Sequence, residues 1–161
     1  MNVDKILFRG KDVTTKEWHY GYYTKAKDYL DEEPVHAIID KECMLYPRNE
    51  FADWDEVDPE TVGQYTGRDD IDGKPIFTDD LIECYWRHSP YKIDKIARVI
   101  SDNCIDDGLG RHWPNGTYNC KVIGNIYDNP DIYEQMLAEG REKREKWYKA
   151  HEEEMSWTKK S

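Results

Sequence analysis

The sequence has few cysteines, and none of them stand close together. The 161-residue chain contains four, and no two of them form a CxxC pair. This spacing excludes a zinc ribbon and a thioredoxin-like redox motif, which both need closely spaced thiols. We therefore expect buried free thiols in a reducing cytoplasm. The four positions are Cys43, Cys84, Cys104 and Cys120.

Long apolar runs are also missing. No stretch approaches the roughly 18 apolar residues of a membrane helix, and mean hydropathy is −0.98. The residues after Met1 lack the basic and apolar regions of a signal peptide. The pattern predicts a cytoplasmic chain without a membrane partner.

Positive charge is scarce. Asp and Glu number 34 against 23 Lys and Arg, so the formal net charge is −11. Nucleic-acid binding normally uses Lys and Arg to neutralise phosphates and release counterions. The densest basic stretch, 141–149, is interrupted by Glu142 and Glu145. Composition therefore disfavours nucleic acid as a partner.

Motifs of common catalytic sites are absent as well. There is no Walker loop, no GxGxxG after a strand, no GxSxG and no HExxH. The acidic loop around Asp28–Glu33 lacks the EF-hand spacing, and the histidines define no metal site by their spacing. We expect no enzyme activity, catalytic residue, metal or cofactor. The alternative left open is a thiol activated by a histidine in space, joining Cys84 or Cys104 to His88 or His112.

Aromatic residues are abundant, at 13% of the chain with 12 Tyr and 6 Trp. Residues 17–22 alternate with the period of a half-buried strand, which places Trp18, Tyr20 and Tyr22 on one face. This run should form an antiparallel hairpin with residues 6–9. We predict that these rings form core. The alternative is a platform for stacking bases.

The clearest turn signals lie in residues 57–86. Asp72-Gly73 stands between strand-like flanks and predicts a type I′ hairpin turn, which requires positive φ at both central residues. Gly63 and Gly67 indicate a bend, a bulge or a close approach of other backbone.

The end of the chain changes to a helical pattern. Asn129 is the predicted N-cap and Pro130 the first helical residue. Gly140 in the interior should cost about 0.5–1 kcal/mol relative to Ala. Glu-before-Lys pairs four residues apart offset that cost by about 0.2–0.5 kcal/mol each. The pairs are Glu139–Lys143, Glu142–Lys146 and Glu145–Lys149.

Two aromatic residues lie far along this helix. At 1.5 Å per residue, Trp147 is roughly 20 Å beyond Ile132, too far to dock easily on the β domain. Burying Trp147 and Tyr148 could contribute several kcal/mol. We predict that residues 141–157 are ordered chiefly by another chain, favouring a homo-oligomer formed through this helix.

Three blocks of the sequence resemble the YopX family of phage and prophage proteins. The central block is EVDPETVGQYTG at residues 56–67, followed by Asp72-Gly73-Lys74 and Ile76-Phe77, and the others fall within 8–22 and 122–130. The resemblance spans roughly residues 4–132. It implies a phage setting in a bacterial host cell, and it assigns no activity.

One position departs from the family pattern. The family's acidic-Gly-Asp triplet is replaced here by Thr78-Asp79-Asp80. Asp79 can still adopt the left-handed conformation that glycine makes easy, at some cost. The glycine is also typical of the strand starts of SH3-like barrels, so its loss weakens that likeness.

The predicted fold is mainly β, a small antiparallel barrel-like domain, SH3-like in its closest analogy, with an N-terminal hairpin and a C-terminal α-helix. Residues 1–56 form the hairpin region with a variable acidic loop. Residues 57–130 form the barrel-like region, and residues 131–161 the amphipathic helix and tail.

The leading functional hypothesis is a non-enzymatic phage or prophage accessory protein that binds another protein. One alternative is an acidic mimic of nucleic acid that occupies a host DNA-binding protein. Another is direct nucleic-acid binding by the barrel face. The candidate interaction residues are Tyr20, Tyr22, Tyr65, Trp147 and Tyr148.

Overall fold

A computed structural model gives the fold as two antiparallel sheets followed by one helix within its described residues. Those residues are 7–27, 34–40, 54–86, 92–101, 104–106, 108, 112–113 and 118–151. The mainly β prediction with a C-terminal helix is confirmed. The predictions for Asp28–Glu33, Cys43, His88 and the tail after residue 151 concern positions outside the described residues.

The chain divides into two compact units, residues 1–78 and residues 79–161. The division falls inside the predicted region 57–130. Each sheet is open in the part of the chain that the structure describes, because its strand order begins and ends on an edge strand. The barrel is therefore not closed, and the SH3-like analogy stays a prediction.

The first unit is a six-stranded sheet in the order β4-β3-β2-β1-β5-β6. The predicted N-terminal hairpin is confirmed, since Phe8 lies opposite Gly21 and Lys11 opposite Trp18. The buried apolar side chains come from β3, from β6 and from Val57. The strands are β1 Phe8–Lys11, β2 Trp18–Lys27, β3 Pro34–Asp40, β4 Trp54–Glu56, β5 Gly63–Asp69 and β6 Pro75–Phe77.

The turn between β5 and β6 differs from the predicted type I′ turn. Gly73 has φ +80°, but Asp72 is not among the residues with positive φ. Asp70 organises the loop instead: its carboxylate accepts from the amides of Asp72 at 2.8 Å and Lys74 at 2.9 Å. Gly73 N–H also donates to the Asp70 carbonyl at 3.0 Å. The five residues 70–74 therefore form the loop between the two strands, with Gly73 in the left-handed position.

The two glycines of β5 act as the sequence predicts. Gly67 has φ +79° and lies where the β5–β6 register shifts, as in a bulge. At Gly63, a Cβ would lie 2.9 Å from the Thr78 carbonyl oxygen, so neighbouring backbone approaches closely there. Both bend and close approach are therefore present.

The second unit is a five-stranded sheet in the order β10-β9-β8-β7-β11, followed by α1. Its core is aliphatic and includes Leu81, Ile82 and Val99, with Met136 from the helix. Cys84 and Cys120 are buried, whereas Cys104 is partly exposed, so the buried-thiol prediction is wrong there. The elements are β7 Asp80–Trp86, β8 Lys92–Ser101, β9 Cys104–Asp106, β10 His112–Trp113, β11 Tyr118–Asn125 and α1 Pro130–Ala150.

Helix α1 begins as predicted, with Asn129 at the N-cap and Pro130 next. The Asn129 side chain does not cap the helix, however, because its Oδ1 accepts from the Asn125 amide at 3.2 Å. Two of the predicted ion pairs form on the exposed face, Glu139–Lys143 at 3.7 Å and Glu142–Lys146 at 2.7 Å.

Gly140 has a packing role that its helical position does not reveal. A Cβ at Gly140 would lie under 3.0 Å from the carbonyl carbon and oxygen of Gly108. Gly108 has φ +74°, and its carbonyl accepts from Arg144 Nη2 at 3.0 Å. Glycine at position 140 therefore allows the helix to contact the backbone after β9. The cost predicted for Gly140 from helix propensity does not include this contact.

Gly140→Ala should lower the free energy of unfolding, although alanine is the better helix former by about 0.5–1 kcal/mol. The added methyl must displace backbone, and overpacking of this kind costs about 1–3 kcal/mol. Urea denaturation measures the change. Ala138→Gly, at an exposed site of the same helix, is the control and should lose only the propensity difference. A higher denaturation midpoint for Gly140→Ala would show that the contact is not tight.

Candidate functional site

Two of the three predicted tyrosines of the first unit, Tyr20 and Tyr65, pack against Phe77, which was not among the predicted interaction residues. The ring centroids of Tyr20 and Tyr65 lie 5.6 Å and 5.7 Å from that of Phe77. Phe77 is buried, whereas Tyr20 is 51% exposed. Tyr22 is half-buried and lies opposite Ile39 on the next strand. Tyr20, Tyr65 and Phe77 form what we call the sheet-face cluster.

Tyr20 corrects the expectation that the rings of β2 form core. It is half exposed, whereas the buried apolar positions of this unit belong to β3, β6 and Val57. Trp18 and Tyr22 are intermediate in exposure. Within the sheet-face cluster, Phe77 is therefore buried while Tyr20 remains half exposed.

The cationic side chains beside the sheet-face cluster contact aromatic rings and backbone of the first unit. The Arg9 guanidinium lies 4.7 Å from the Trp18 ring centroid and 5.0 Å from that of Phe77. Arg9 also donates to the Thr78 carbonyl at 3.1 Å and is only 4% exposed. Lys11 Nζ lies 5.4 Å from the Trp18 ring. These contacts hold Arg9 away from any phosphate in solvent.

Tyr65 is held as a neutral donor. Its hydroxyl donates to Asp69 Oδ1 at 2.9 Å. Burial, followed by the hydrogen bond and the negative charge of Asp69, raises the pKa of Tyr65 to about 12. The phenol therefore stays protonated at neutral pH, which suits packing and hydrogen bonding rather than nucleophilic attack.

Asp69→Asn should lower the pKa of Tyr65 from about 12 toward the ordinary value of 10.0, because the phenolate would no longer face a carboxylate. The folded pKa is raised, so its stabilising contribution is complete below pH 10.0 and is lost as pH rises through about 12. NMR titration of the tyrosine ring carbons measures the shift. Glu17→Gln, an exposed charge-matched change, is the control, and an equal pKa in both variants would remove Asp69 as a cause.

The far half of helix α1 is exposed along its whole length. Every residue from 141 to 150 is exposed, and Trp147 and Tyr148 are 48% and 49% exposed. Their ring centroids lie 5.4 Å apart, edge to face. His151 stacks on Trp147 at 4.5 Å. Trp147, Tyr148 and His151 form the helix-end cluster, in which His151 was not foreseen.

A third grouping joins residues that sequence spacing kept apart. Asp12, His19 and Asp55 each offer a ligand atom, and these atoms lie within 4.8 Å of one another. His19 Nδ1 is 2.6 Å from Asp55 Oδ2. Asp12 Oδ1 accepts from the amides of Thr14 and Thr15, which lowers the pKa of Asp12. Only strand pairing reveals this grouping, since Asp55 is distant in sequence.

The predicted thiol and histidine pairs are not assembled by the described residues. Cys84 is buried and lies directly opposite Cys120 on the neighbouring strand. His88 and the side chain of His112 lie outside the described part of the structure. Activation of a thiol by either histidine stays a prediction.

Comparison with known proteins identifies a family. The family model described as YopX protein matches residues 7–134, so the chain belongs to the YopX family. No curated protein and no solved structure matches the chain. In the described part of the chain, helix α1 is too polar to span a membrane.

Proposed function

We propose that this YopX-family chain is a non-enzymatic phage or prophage accessory protein that acts in the bacterial cytoplasm by binding another protein. The observation that carries the proposal is the helix-end cluster. Trp147 and Tyr148 are half exposed on a helical segment that is itself exposed throughout. Trp and Tyr are enriched among the residues that dominate binding energy at protein interfaces.

The energy at stake is large enough to drive association. A Trp or Tyr side chain buries about 150–250 Å². Covering the exposed half of both rings at about 25 cal/mol per Å² would contribute about 4–6 kcal/mol before the cost of association. The two exposed rings stand side by side and form one contiguous apolar patch rather than two isolated residues.

Charge along helix α1 favours a second copy of the chain as the partner. Residues 130–140 carry three acidic side chains and no basic one, whereas residues 141–150 carry five basic side chains against two acidic ones. In an antiparallel pair of helices, the acidic half of each would face the basic half of its mate. Such a twofold interface is the commonest kind in homo-oligomers.

A second candidate is single-stranded nucleic acid stacked on the sheet-face cluster, and the exposure of Tyr20 favours it. The charges of the chain disfavour nucleic-acid binding at this cluster. Arg9 is nearly buried against Trp18 and Phe77, and the chain carries a net charge of −11. The acidic-mimic hypothesis rests on that net charge alone. Protein binding through the helix-end cluster is therefore the better supported function.

The variant Trp147→Ala/Tyr148→Ala should convert a concentration-dependent dimer into a monomer while the helical circular dichroism is retained. Multi-angle light scattering over a range of protein concentrations measures the mass. Tyr20→Ala removes an equally exposed ring from the other unit and should leave the dimer intact.

Other outcomes would redirect the proposal. A dimer that survives loss of Trp147 and Tyr148 but not of Tyr20 would move the interface to the sheet-face cluster. A wild-type chain that is monomeric at every concentration would contradict self-association through helix α1.

A further inference from the structure

We propose that Asp12, His19 and Asp55 bind one first-row divalent cation, a role separate from the protein interface. These residues, the Asp12–His19–Asp55 site, all belong to the first unit. Their donor atoms converge within 4.8 Å. One imidazole and two carboxylates form a mixed nitrogen and oxygen donor set.

The donor set narrows the class of cation. Imidazole suits zinc, iron and nickel, while carboxylate suits manganese and harder ions, so a mixed set favours ions such as Mn²⁺, Fe²⁺ or Zn²⁺. Calcium takes six to eight oxygen ligands, which this site does not offer. None of the three donors is a thiolate, which disfavours soft ions such as Cu(I).

The backbone fixes the three donors relative to one another. The Asp12 amide donates to the Glu17 carbonyl at 2.9 Å, and Asp12 forms a bridge with Val57. The Val13 amide donates to the Glu56 carbonyl at 3.1 Å, beside Asp55. These bonds tie the end of β1 to the end of β4. His19 is held in turn because it lies opposite Gly10 in the β1–β2 ladder.

Movement of the three side chains alone is enough to bring their donor atoms to metal-binding distances. Ligands bound at about 2.0–2.2 Å to a common metal lie roughly 3–3.5 Å apart, compared with separations of up to 4.8 Å here. The side chains of His19 and Asp55 are 29% and 40% exposed, so they can rotate and an ion can enter. Three protein donors leave positions for water, as in an open metal site.

Charge also favours binding. The net charge of −11 attracts cations to the chain.

A plain ion pair between His19 and Asp55 makes a different prediction. In an ion pair alone, Asp12 serves only its own turn and no cation is taken up. In a metal site, removing either carboxylate weakens cation binding. Asp12 is therefore the residue that separates the two interpretations.

Manganese is the probe, because Mn²⁺ prefers oxygen and imidazole donors to the four thiols of the chain. Electron paramagnetic resonance of free Mn²⁺ at pH 7.5 should show saturable uptake of one ion per chain. Asp12→Asn and Asp55→Asn should each weaken uptake about tenfold or more. Glu134→Gln, an exposed charge-matched change in the second unit, should leave it unchanged.

A readout on the wild-type chain guards against misfolded variants. Substoichiometric Mn²⁺ should broaden the NMR ring signals of His19 before those of His36 or His151. Absence of saturable uptake, equal uptake by all variants, or earlier broadening of His36 or His151 would overturn the proposal. A normal circular dichroism spectrum for Asp12→Asn would tie its lost uptake to the site.

Discussion

The carboxylate of Asp79 is the interaction on which the second unit depends. Its Oδ1 accepts from Arg98 Nε at 2.8 Å and Nη2 at 2.6 Å, and its Oδ2 accepts from the Tyr127 hydroxyl at 2.9 Å. The Asp79 amide donates to the Val99 carbonyl, and its carbonyl accepts from the Ile126 amide. One residue thus joins the start of β7, the middle of β8 and the end of β11. These bonds hold Asp79 at a φ of 68°. A glycine could make the two backbone bonds but not those to the carboxylate.

The same network places the helix. Arg98 Nη1 donates to the Tyr133 hydroxyl at 3.2 Å, so the first turns of α1 are tied to β8. Buried Met136, the Gly140–Gly108 contact and the Arg144 hydrogen bond continue the attachment. Beyond Arg144 only exposed positions follow up to residue 150. The helix-end cluster is therefore exposed because the contacts between α1 and the rest of the second unit end before it.

Sequence patterns predicted the features that depend on neighbouring residues in the chain. Alternation in 17–22 indicated β2, and Asn129-Pro130 marked the helix start. The left-handed Asp79 followed from its place in the family pattern. Contacts between distant segments were beyond such patterns: the helical Gly140 owes its role to Gly108, and Phe77 gathers the tyrosines only after β6 pairs with β5. The predicted type I′ turn after β5 is wrong because the Asp70 side chain, rather than the Asp72-Gly73 dipeptide, sets the geometry of the turn.

Helix α1 is attached through its first half, and we propose that its second half binds a partner. Amide hydrogen exchange, resolved by residue at low and high protein concentration, tests it most directly. We expect residues 133–140 to be protected at both concentrations, and residues 141–150 to gain protection only at the higher one. Protection of residues 141–150 that does not change with concentration would contradict it.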